Sequence, residues 1–127
     1  MRQALQHTFE STVWNILCHP QDDILFIETR SEANTEVRFS AFDINDNKFL
    51  WQDIAITDTW WCSLLAAAGN NIYLYEFLDG HNPEPSLLIA FDIRSKKRLW
   101  QIPQARLELA GNAWLLATTE AGKQLFD

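Results

Sequence analysis

Three aspartates recur at one place in the sequence: Asp43, Asp92 and Asp127 each follow a phenylalanine directly. Carboxylates at equivalent positions could ligate a metal or act as an acid–base pair. The competing role is structural, because a turn aspartate accepts hydrogen bonds from the next backbone N–H groups. Recurrence favours the turn, since a site is built once and a turn is built in every copy. Glu28 and Glu76 also recur, each just beyond an apolar run, and are expected to be strand-end or ion-paired residues.

The other reactive types are sparse. His7, His19 and His81 lack the spacing of a zinc site and are expected at the surface. Cys18 and Cys62 have no metal-ligand spacing and sit in apolar runs, where a thiol behaves as a small core hydrophobe. Gly69, Gly80, Gly111 and Gly122 belong to four separate turns and cannot form one phosphate loop. There is no Gly-x-Ser-x-Gly elbow. The adjacent pair Trp60 and Trp61 is the candidate ligand contact, because an exposed indole can stack on a sugar or a peptide. Neighbours on a strand face opposite ways, so one of the two at most can serve a given face. Packing between sheets is the alternative role.

The elements that must position these residues come from an internal repeat. Ala41–Gln52 and Ala90–Gln101 share eight of twelve residues at a spacing of 49. Repeats of roughly 40–50 residues point to propellers or solenoids. Flanking residues suggest the same alignment: Trp14 with Trp61, Ile24 with Ile72, and Glu28 with Glu76. A third, incomplete copy follows, with Ala110-Gly-Asn112 matching Ala68-Gly-Asn70 and Phe126-Asp127 matching Phe91-Asp92. The copies span about 10–54, 55–102 and 103–127 of one domain, 1–127.

Each copy divides into short runs separated by turn residues. The first has Val13–Cys18, Ile24–Thr29, Glu36–Ile44 and Lys48–Ile54. The second has Thr59–Ala67, Asn71–Phe77, Ser86–Ile93 and Lys97–Ile102. The third has Arg106–Leu109, Ala113–Thr118 and Lys123–Asp127. Ser63–Ala68 is the one place where a helical turn could intrude, and strand pairing should override it. The expected fold is all-β, built of four-stranded antiparallel meanders of the β-propeller type, with Trp51 and Trp100 on the fourth strands.

The string Ala-Phe-Asp-Ile-x-x-x-Lys-x-Leu-Trp-Gln resembles the blade signature of pyrroloquinoline-quinone-type propeller repeats. That resemblance implies a glycine before the lysine, where this chain has Asn47 and Lys96. Asparagine tolerates a left-handed backbone better than lysine does. The cofactor sites of the quinone enzymes need adjacent cysteines and calcium ligands. Adjacent cysteines are absent here, so no cofactor is expected. The chain also resembles a bacterial family of propeller-like proteins with no assigned function, through Ile27–Arg30, Phe39–Phe42, Thr59–Trp61 and Pro83–Asp92.

Bulk properties narrow the partners. The chain has 127 residues, 47% of them hydrophobic and 21% charged, which fits a globular domain. A net charge of −7 argues against nucleic acid and anionic membrane. The cluster Arg94, Lys96, Lys97 and Arg98 reads as a solvated turn. No signal peptide or apolar span is evident, so a cytoplasmic location is expected.

Propeller rings have about four to eight blades, so three cannot close one. The third copy also lacks a fourth strand. Residues 3–9 could supply it, and exchange between two chains would give a homodimer with a ring of about six blades. The functional expectation is a non-catalytic scaffold that binds a protein or peptide. A carbohydrate- or small-ligand-binding oligomer, and an enzyme with a site on the ring face, are the alternatives.

Overall fold

The computed structural model describes residues 8–126. These contain no helix and eleven strands, grouped in three antiparallel sheets. Contacts divide the chain into two compact units, Met1–Trp60 and Trp61–Asp127.

The first unit holds one meander: β1 (Thr12–Cys18), β2 (Ile24–Ser31), β3 (Glu36–Asp43) and β4 (Lys48–Ile54), paired in sequence order. Its two central strands are the buried ones, as expected of apolar runs packed on both faces. The second unit begins with a matching meander: β5 (Cys62–Ala68), β6 (Asn71–Glu76), β7 (Leu87–Asp92) and β8 (Lys97–Pro103). Ser63–Ala68 is strand, so pairing with β6 overrides the local helical tendency of its alanines. A third sheet in the same unit has three strands, β9 (Arg106–Ala110), β10 (Leu115–Thr119) and β11 (Gly122–Phe126). Alanine, leucine and tyrosine side chains from both sheets form the core of this unit, among them Ala68, Tyr73, Tyr75, Leu88, Ala90, Leu115 and Ala117.

The repeat spacing holds closely in the third and fourth strands. Ala41 faces Trp51 and Asp43 faces Lys48, while Ala90 faces Trp100 and Asp92 faces Lys97. Trp51 lies tilted against Phe26 at 6.2 Å, and Trp100 against Tyr73 at 6.1 Å. The turn before each lysine uses a left-handed residue, Asn47 at φ 55° and Lys96 at φ 60°. Those are the positions where the propeller signature places glycine.

The second strands correct the alignment expected from sequence. Ile24 pairs with Asp43, and it is Asn71, not Ile72, that pairs with Asp92. Glu28 therefore corresponds to Tyr75 and Arg30 to Phe77. A slip of one residue exchanges the two faces of a strand, so the apparent match of Glu28 with Glu76 joined residues from opposite faces. The first strand is corrected too. β1 bulges between Val13 and Asn15, which leaves Trp14 as the extra residue. Trp61 pairs with Phe77 through its carbonyl and so corresponds to Thr12, not to Trp14.

Two surface assignments also change. His19 is buried, with only 6% of its surface exposed, because its imidazole folds back under the β1–β2 loop. Cys18, at the end of an edge strand, is exposed, while Cys62 is buried as expected. Gly69 turns β5 into β6 at φ 58°, and a Cβ there would lie 2.2 Å from the Asn112 carbonyl oxygen. Both the backbone conformation and the close approach require glycine.

Candidate functional site

The recurring aspartates hold turns. Asp43 Oδ1 accepts the Asp46 N–H at 3.0 Å. Asp92 Oδ1 accepts the N–H groups of Arg94 at 2.8 Å and Ser95 at 2.9 Å, and the Asn70 amide at 2.8 Å. The Ser95 N–H holds the Asp92 carboxyl below its ordinary value of 3.8; burial opposes this, and the Arg94 N–H adds to the lowering. Asp127 lies outside the described residues, as do His7 and residues 3–7. His19 plays the aspartate role in another turn: its Nδ1 accepts the N–H of Gln21 at 3.1 Å and of Asp22 at 2.9 Å. His81 is exposed in the β6–β7 loop.

A group of four residues in the first unit is built once. Glu28, 1% exposed, and Arg30, 6% exposed, lie two apart on β2 and so share a face. The Arg30 Nε donates to Glu28 Oε2 at 2.8 Å. The Arg30 Nη1 donates to the Trp60 carbonyl at 2.6 Å. The guanidinium carbon stands over two indoles, 4.8 Å from the Trp60 ring centre and 5.2 Å from that of Trp14. Charge-assisted hydrogen bonds and two cation–π contacts thus offset the desolvation of a buried ion pair.

The β1 bulge gives this group its outlet. The extra residue re-aims the chain locally, a common use of bulges beside functional sites. Trp14 rests on Arg30 and is 61% exposed. Trp60, the first member of the expected ligand pair, is half-buried beneath the guanidinium. Trp61 is in the second unit. Its ring lies on the Gly80 backbone, where a Cβ would come within 2.6 Å of the indole. The tryptophan pair is therefore divided between two settings.

The second meander treats the same positions differently. Tyr75 and Phe77 replace Glu28 and Arg30 and meet edge to face, with ring centres 6.0 Å apart. The Tyr75 hydroxyl accepts the Leu107 N–H at 2.7 Å and joins this meander to β9. Sequence reasoning missed the Arg30 group. Its signal was an arginine directly after the Ile24–Thr29 run, where a charge needs a partner.

Among the described residues, no three His, Cys, Asp or Glu side chains gather where they could hold a metal ion. Among these residues no helix is long and apolar enough to cross a membrane. A polar cavity of about 380 Å³ lies at the Thr12 end of the first meander, lined by Glu10, Glu36, Arg38 and Asp53 among others. Arg38 there is paired with Glu36 at 3.2 Å.

Comparison with known families matches residues 18–100 to a domain of unknown function, DUF4905. The match covers more than half of the chain, and the protein belongs to that family. No curated protein and no solved structure matches it.

Proposed function

We propose that this DUF4905 protein is a non-catalytic binding module of the β-propeller type, and that the Trp14 face of its first meander engages a protein or peptide. The exposed indole held on a buried ion pair carries this reading. A buried charge pair is costly unless fully partnered, and replacement by apolar residues is often neutral or stabilising. The second meander has such a replacement. Retention of the pair in the first suits a role in presenting Trp14, which is the kind of large amphipathic side chain that anchors interfaces.

The test is site-specific photo-crosslinking in the producing cells from position 12, which is exposed and pairs with Arg30 on the Trp14 face, with exposed position 99 on β8 as the comparison. A discrete protein adduct from position 12 that is lost in Trp14→Ala, and none from position 99, is the expected result. Equal adducts from both, or none from position 12, would contradict the reading.

Self-association has separate support. By the Phe126 match, β11 occupies the place of β3 and β7, each of which carries a further strand on its outer side. Among the described residues β11 has no such neighbour and is largely exposed. Open edges invite strand addition. In this reading a second copy supplies the strand from residues 3–8 and the meanders close as blades of a ring. Phe9 packs edge to face on Phe49 of its own unit at 6.2 Å, so the exchanged segment stops short of it. A mass in solution near twice 14.7 kDa is expected, and a strictly monomeric mass at high concentration would rule the exchange out.

A further inference from the structure

Resting on the binding role of Trp14, we infer that its outer face receives a cationic side chain, an arginine or lysine of the partner. The Trp60, Arg30 and Trp14 groups form an alternating series of indole, guanidinium and indole. One face of Trp14 lies on Arg30, and its 61% exposure leaves the opposite face open. The negative face of an indole attracts a cation, and an arginine plane also stacks on it. A second cation would normally be repelled by the first. Here the Glu28 carboxylate bound to Arg30 Nε neutralises that charge.

The surroundings agree in sign. The chain carries a net charge of −7. The second meander has no equivalent: it lacks the bulged indole, and Phe77 replaces the guanidinium.

The probe is the peptide acetyl-Gly-Arg-Gly-Arg-Gly-amide, with the neutral citrulline version as its control. The readout is the indole N–H signal of Trp14 in the ¹⁵N spectrum of the whole chain, assigned by its loss in Trp14→Phe. The arginine peptide should shift this signal saturably and bind about tenfold more tightly than the citrulline peptide. Trp14→Ala should abolish binding and leave the remaining spectrum folded, because the side chain is largely exposed. Equal binding of the two peptides, or arginine-dependent shifts elsewhere with Trp14 unmoved, would overturn the inference. So would a Trp14 shift that follows protein concentration without peptide, which would make a second copy the occupant. A Trp14-dependent crosslink from position 12 together with indifference to citrulline would sink the cation claim alone and leave the binding role standing.

Discussion

The first and second meanders share strand order, turn chemistry and the aromatic pair across their second and fourth strands. They differ at two positions on the second strand. One has Glu28 and Arg30, the other Tyr75 and Phe77. Both pairs tie their strand to later chain, Arg30 to the Trp60 carbonyl and Tyr75 to the Leu107 N–H. The aromatic pair does so with little desolvation cost. The ionic pair does so while holding an exposed indole over a charge. Duplicated architecture therefore separates what a meander needs from what one meander adds.

The largest effect should follow removal of half of the ionic pair. Arg30→Met leaves Glu28 buried without its charge partner and should cost about 3–5 kcal/mol in urea unfolding. The graft Glu28→Tyr with Arg30→Phe should restore stability to within about 1 kcal/mol of the native chain, since an apolar pair suits this site in the other meander. A graft as unstable as the single variant would break the comparison.

On the other side, Tyr75→Phe leaves the Leu107 N–H without its acceptor. It should cost about 1–2 kcal/mol and speed hydrogen exchange at Leu107 more than at β2 amides. Smaller still is the acid response of Asp92. Its carboxyl titrates lower in the folded chain than its ordinary value of 3.8, so its stabilisation is present above that value and fades as pH falls through the lower folded one. Asp92→Ala should flatten the stability profile below about pH 4, and an unchanged acid limb would assign that response elsewhere. The smallest change is expected for Lys96→Gly, which relieves a left-handed lysine and should stabilise by about 0.5 kcal/mol. Asn47→Gly should do less, because asparagine tolerates that conformation.

Much of the scaffold was legible in the sequence. Identical strings at a spacing of 49 located β3, β4, β7 and β8, and the turn role of Asp43 and Asp92 followed from recurrence alone. The second strands were harder. Ile24 and Ile72 sit in apolar runs with no internal landmark, so a one-residue slip looked equally good and exchanged the faces of Glu28 and Glu76. A bulge leaves no fixed mark in sequence either, which disguised Trp14 as the counterpart of Trp61. His19 was misplaced because a polar turn suggested the surface, whereas its Nδ1 serves two backbone donors inward. The Arg30 group depends on contacts between β1, β2 and the chain after β4, which spacing alone does not reveal.

The most direct measurement compares Trp14→Ala with Trp61→Ala in the arginine-peptide titration, each variant checked for its unfolding midpoint. The account predicts that Trp14→Ala lowers its midpoint only slightly, by loss of one cation–π contact, and loses binding, while Trp61→Ala binds as the native chain does. Equal loss in both, or binding retained without Trp14, would contradict it.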